Sequence, residues 1–380
     1  MRKPLHPDET SNCYRRKVRM KRKLLGLSVF LALTASADTM AVVCQNIGAP
    51  TEIGGATDNG DGGALACGDD AQANGANSTA LGVQSRGTGD ASVAVGPSAS
   101  AAGTFNVAIG TNASTSGNSS AALGTSTSAN AQAVAIGNGA AAGGIEAVAL
   151  GNMAFGSGLA STVVGSMASV TGQEGVAVGT LSEAGGQASV AIGSASEVSE
   201  DLSVAIGPGA NVATDQSVAL GLNAVVTASE VNSEGSTAVG ARASAAGRFS
   251  SAFGYLAEAD LAGVAVGFGT KANFSGTVAV GLGANTVGDG GTAVGWLSES
   301  SQRGVAAGFS SKSFTNAVAL GRDSIAAAGA VSLGAYSQAP GGGSAALGFR
   351  AFAPQPSTVV IGQIPGVNGG FTYNRVGMGT

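Results

Sequence analysis

Few residues in this 380-residue chain could do chemistry, and their spacing argues against catalysis. The single histidine is His6. No imidazole is left downstream to act as a general base, or to join a cysteine in a metal-ligand set. Serine is abundant, but no serine has a matching base. Asp69-Asp70 and the Glu197, Glu200, Asp201 group have the look of acid–base carboxylate pairs. On the polar corners of a repeat, such residues are expected to be solvated instead. Asp58-Asn59-Gly60-Asp61-Gly62-Gly63 has the flavour of a Ca²⁺ loop but lacks the alternating oxygen donors and the closing Glu. The Gly-x-Gly strings are not followed by a helix that could offer its N-terminus to phosphate. The expectation is a non-enzyme with no cofactor and no metal site.

What these residues sit on is set by a glycine that returns at a fixed interval. The anchors run from Gly68 to Gly362 and include Gly96, Gly110, Gly137, Gly193 and Gly207. Of the 21 intervals, fifteen are 14 residues, five are 13 and one is 19. A short fixed period means stacked coils rather than one globular core. An apolar triplet stands before nearly every anchor, as in Val107-Ala108-Ile109 and Val190-Ala191-Ile192. Branched residues at a strict period of two read as a strand, with Val and Ile on one face and Ala on the other. Val107, Ile109, Val190 and Ile192 are expected to fill the interior. The row of Ala is expected to lie outward and to allow close approach by another surface.

Seven residues after many anchors stands a second glycine, such as Gly75, Gly89 or Gly103. Each coil therefore reads as strand, corner, short strand, corner. The fold class is all-β: a parallel β-roll, or flattened solenoid, of about 22 coils of 13–14 residues over 64–362. The 13-residue intervals are expected to lose one corner residue. The 19-residue interval carries an inserted loop near 226–235, with Glu230, Asn232 and Glu234 as candidate ligand contacts.

Composition agrees with a thin interior. Gly numbers 63, aromatics are 4% and charged residues 11%, well below the usual share of charge. The formal net charge is −5. Nine of the 18 Lys+Arg fall in the first 23 residues, and from residue 38 onward 9 basic against 21 acidic residues give −12. Such a surface does not suit nucleic acid or anionic lipid. Arg15 to Lys23, the apolar Leu24 to Ala35 and the Ala35-Ser36-Ala37 site are the parts of a secretory signal peptide, 1–37, with Met20 as an alternative start. Residues 38–63 read as a Gly-rich lead-in and 363–380 as a capping or junction segment. Cys44 and Cys67 would reach an oxidising compartment, where they either pair as a disulfide or remain thiols. Phe268, Trp296, Phe309 and Phe349, each just after an anchor, form a candidate aromatic patch, open to a partner or to packing between chains.

The unit S/A-V-A-I-G-x-x-A-x-A-x-G, as in Asn106-Val107-Ala108-Ile109-Gly110 and Ser189-Val190-Ala191-Ile192-Gly193, resembles the head repeat of YadA-like trimeric autotransporter adhesins. The resemblance covers about 64–362. It implies a left-handed parallel β-roll, a homotrimer, display on a Gram-negative outer surface, and attachment to host or matrix proteins such as collagen or to other cells. Members of the family continue into a coiled-coil stalk and a four-strand anchor. Neither pattern follows Gly362, so the chain as given is expected to need a further segment for anchoring. The last residues, Asn374 to Thr380, resemble a segment found before phage tail-fibre chaperone domains. A structural shaft in a phage-like or secreted fibre is therefore the second reading.

Overall fold

The computed structural model describes residues 42–44, 57–58, 63–227, 234–365 and 371–373. The expected signal segment and the centre of the inserted loop lie outside these. Every regular element among the described residues is a strand. One coil shows the plan. Val107–Ile109 is a strand, 110–113 a corner, Ser114–Thr115 a second strand and 116–120 a second corner before the next strand, Ala121–Leu123.

The three-residue strands stack in parallel into one sheet of 23, and the two-residue strands into a second sheet of 21. The result is a parallel β-solenoid of about 21 turns. Both sheets extend back into the expected lead-in. Val42–Cys44 pairs with Leu65–Cys67, and Thr57–Asp58 with Gln72–Ala73. After the last coil strand, Val359–Ile361, the segments Gln363–Pro365 and Phe371–Tyr373 pair antiparallel.

Register survives every change of coil length. Val107 pairs with Ala121, and Ala121 with Val134, across coils of 14 and 13 residues. Val218 pairs with Thr237 across the 19-residue coil. The residue missing from a short coil comes from the second corner, which spans 116–120 in a long coil and 130–133 in a short one. Both versions keep a closing bond between residues three apart, Ser78 N–H to Gly75 carbonyl (3.1 Å) and Ala133 N–H to Asn130 carbonyl (3.2 Å).

The interior is the reverse of the expectation. Ala94, Ala108, Ala135 and Ala191 are fully buried, while Val107 and Val190 are half-buried and Ile109 and Ile192 exposed on the outer face. The remaining inward rows are also small: Ser92, Ala99 and Ala101 in one coil, Asn106, Ala113 and Thr115 in the next. Two corners of four or five residues hold the sheets too close for facing Val and Ile. The space between them is filled by methyl and hydroxymethyl groups at close-packed density. Where a larger residue does enter, its neighbour shrinks. A Cβ on Gly156 would stand 3.3 Å from Cγ2 of Val163, and one on Gly175 2.6 Å from Cγ1 of Val170.

The two glycine rows have different causes. The anchors sit at φ of +126° (Gly96), +134° (Gly110 and Gly207) and +136° (Gly137 and Gly193), a region closed to side-chain-bearing residues. The second-corner glycines are needed for room: a Cβ on Gly89 would collide with the backbone of Gly103, one coil on. Most anchor corners are closed by a backbone bond, such as Ala99 N–H to the Gly96 carbonyl (3.2 Å). Where the inward residue is Ser or Thr, its hydroxyl donates to the same carbonyl, as from Ser196 to Gly193 (3.0 Å) and Thr127 to Gly124 (2.9 Å). These bonds satisfy polar groups that the thin interior removes from water.

Candidate binding surface

The solenoid offers long outer faces. On the three-residue-strand sheet, the residues flanking the buried middle position form two outer rows, one apolar throughout and one mostly Val, broken by Thr79, Thr162, Thr237, Ser251 and Thr292. Val107, Ile109, Val134, Ile136, Val190 and Ile192 are typical members. The outward row of the two-residue-strand sheet is more polar, with Ser100, Ser114 and Ser128 early and Glu258, Lys271, Glu299 and Lys312 later. The last four form two exposed ion pairs, Lys271–Glu258 (3.2 Å) and Lys312–Glu299 (3.0 Å). An open groove of about 330 Å³ beside the first pair is lined by Arg242, Ser244, Glu258, Asp260 and Asn273.

Of the carboxylates singled out by spacing, Asp201 and Glu197 hold neighbouring coils together. The Oδ1 of Asp201 accepts the N–H of Gln187 (2.6 Å), and the Oδ1 of Asp215 accepts the N–H of Asp201 (3.0 Å). Asp90 and Asp289 do the same for Ala76 (2.9 Å) and Ser275 (3.2 Å). Each reaches back one coil to a corner N–H that has no sheet partner. Glu197 accepts from the Asn211 amide (2.8 Å). Asp69 and Asp70 are exposed at the first full corner. Among the described residues, no group of three or more His, Cys, Asp or Glu could hold a metal ion.

Of the candidate loop residues, Glu230 and Asn232 lie outside the described residues. Glu234 bridges to Asp215, and its carbonyl accepts the N–H of Phe249 (3.1 Å). Strand register places the backbones of Cys44 and Cys67 side by side.

The aromatic candidates are brought together in part. Trp296 meets Phe309 edge-on at 5.1 Å between ring centres. Phe268 stacks on Tyr255 at 5.3 Å, and Phe349 meets Tyr336 edge-on at 5.9 Å. Arg322 joins the groups: its guanidinium carbon lies 5.4 Å from the Phe309 ring centre and 5.6 Å from that of Tyr336. Arg350 lies over Tyr336 (5.8 Å) and Phe349 (5.1 Å). Tyr255, Arg322 and Arg350 are the members that composition did not reveal. Their common signal is position, since Tyr255 and Arg322 follow the anchors Gly254 and Gly321 directly, and Arg350 stands two after Gly348.

This architecture matches a known repeat. The model of the YadA head domain repeat (2 copies) matches the chain at 62–85, 88–113, 107–127, 129–154, 157–182, 171–196, 184–207, 199–224, 232–257, 262–284 and 275–298. Together these stretches cover more than half of the sequence. The chain belongs to the YadA head family. No curated protein matches it. Beyond residue 298 the same coil geometry continues through Ala345–Leu347, so the YadA head fold extends past the matched stretches. Membership implies adhesin-type function within trimeric autotransporters and a place at the cell surface or outside the cell.

Proposed function

We propose that the chain is the non-catalytic head of a surface-displayed adhesin, working as a homotrimer and attaching to host or matrix proteins, collagen among them, or to other cells. The observation that carries this reading is the pair of Val/Ile rows left on the outside of the three-residue-strand sheet. A monomer gains nothing by showing water a continuous apolar strip along its whole length. Three copies packed on these strips would bury them, and would leave the more polar sheet and the corners free for a partner. Repetition then multiplies weak contacts, because one extended partner can touch equivalent positions on successive coils.

Secretion through the segment 1–37 and display on an outer membrane belong to the same proposal. The purified chain should sediment as a trimer. Replacing Ile109 and Ile192 by Ser should release folded monomers with unchanged β circular dichroism. A wild-type monomer that is stable and fails to attach to collagen-coated, matrix-coated or cell-coated surfaces would end the proposal.

A further inference from the structure

From Trp296 to Arg350 the outer corner of the roll carries an unbroken chain of ring and cation contacts: Trp296, Phe309, Arg322, Tyr336, Phe349, Arg350. The four rises from the Gly295 corner to the Gly348 corner span about 19 Å at the usual strand spacing. Trp296 and Phe349 are more than half exposed, at 52% and 53%.

The same corner position is built for water elsewhere. In the earlier coils the residue just after the anchor is mostly polar or proline, as at Asp69, Pro97, Thr111, Asn138, Asn152 and Thr180, all exposed; Val83 and Leu222 are exposed apolar exceptions, and none is aromatic. A contact between chains that ran the length of the rod would need apolar residues there too, as the Val/Ile rows have. Aromatics at this corner therefore mark a local feature of the last coils.

Charge is segregated in the same way. Residues 64–241 hold 1 basic and 12 acidic side chains, a balance of −11. Residues 242–350 hold 7 basic and 5 acidic, a balance of +2. Of the 17 aromatics in the chain, 11 lie between 249 and 352 and only Phe105 and Phe155 between 64 and 241. Rings and cations thus arrive together, in one stretch of a rod that is otherwise acidic.

We propose that this ridge binds an acidic polysaccharide. The face of a pyranose ring is a sheet of C–H groups, which pack on the negative face of an aromatic ring. A guanidinium held against the rings is pre-oriented and able to take a carboxylate or sulfate through two N–H groups. Arg322 spends its Nε on Asp323 (3.2 Å). Its remaining N–H groups, and all of Arg350, stay available for an anion. The rise of one coil is close to the advance of one sugar in an extended β-linked chain, so successive sugars can meet successive coils. Nucleic acid fits less well, because its dense phosphates need more than a local balance of +2. The proposal rests on reading the chain as an adhesin head and names one class of ligand for it.

The test uses the full-length secreted chain, with heparin and hyaluronate as sulfated and carboxylated probes and dextran as the neutral control. Heparin, hyaluronate or both should be retained, more weakly as salt rises, and dextran should not. Trp296→Ala with Phe309→Ala, and separately Arg322→Gln with Arg350→Gln, should weaken retention at least 10-fold without changing melting or oligomer mass. Bound polymer should protect Trp296 and Phe349 from hydroxyl-radical labelling and leave the coils before 242 unprotected. No retention of either acidic probe, equal retention by the variants, or equal retention of dextran overturns the proposal. So does a fall in oligomer mass on Trp296→Ala, which would make the ridge a contact between chains. Attachment to protein or cells with no polysaccharide retention removes this inference alone. Retention by the ridge of a chain that stays monomeric removes the trimeric adhesin reading alone.

Discussion

The carbonyl oxygen of Gly110 lies 2.7 Å from where a Cβ on Gly96 would stand, one coil below. The Gly96 backbone is also at φ +126°. An alanine there meets both a forbidden conformation and a backbone atom that cannot move without shifting the next coil. Gly96→Ala should cost more than about 3 kcal/mol, the sum of a strained backbone and an overpacked contact. Thermal melting measures it, and a melting temperature unchanged from wild type would show that the stack can relax around the anchor.

Ala108 faces inward and is fully buried. Ala108→Leu should destabilise each roll by roughly 1–3 kcal/mol or more through overpacking. The loss should appear in melting before any loss of oligomer mass. Ile109→Ser, one residue on and on the outer face, should show the opposite order. Equal behaviour of the two variants would mean that the faces are not distinguished.

Asp201 accepts the N–H of Gln187 through its side chain at a second corner. Asp201→Ala removes an acceptor for an otherwise unbonded donor and should cost about 1 kcal/mol. Asp201→Asn keeps the oxygen and should stay near wild type. Chemical denaturation separates the two. An equal loss in both variants would point to charge rather than to the hydrogen bond.

Ala188 lies in the left-handed region at φ 50° with its N–H donated to the Gln173 carbonyl (2.8 Å). An alanine is strained there by about 1–2 kcal/mol, and glycine is not. After the entropy that glycine loses on folding, Ala188→Gly should stabilise by roughly 0.5–1 kcal/mol. A lower melting temperature for this variant would show that the methyl packs more than it strains.

Strand register sets the backbones of Cys44 and Cys67 at the lateral spacing of neighbouring strands, about 4.8 Å, which falls within the Cα range a disulfide spans. Under oxidising conditions they should form a cross-link, and reduction should lower the melting of the first coils. Intact mass before and after reduction and alkylation checks this. Two alkylatable thiols in the unreduced protein would refute it.

The coil plan was legible in the sequence because a physical need recurs at every turn: the anchor corner closes only on a residue without a side chain. Orientation was not legible from the Val-Ala-Ile triplet. Alternation shows that a strand has two faces and does not say which is inside. The usual preference for burying the larger residues points the wrong way here. Small residues at every other inward position, such as Ser92, Ala99 and Ala101, hold the answer, since they leave room only for a fourth small residue, Ala94. The aromatic candidates stood out as rare residues at a fixed offset from the anchors. Arg322 and Arg350 did not, because a lone charge on a polar corner looks ordinary until its neighbour in the next coil is known to be a ring.

Because Val107, Ala121 and Val134 stay in line although the coils between them differ in length, each turn presents the same donors and acceptors to whatever follows. The modules are interchangeable at their joins, so deleting or duplicating one leaves the stack unbroken. The length of the solenoid is then an inherited quantity that moves in steps of about 4.8 Å, and lineages can tune it without inventing a new residue.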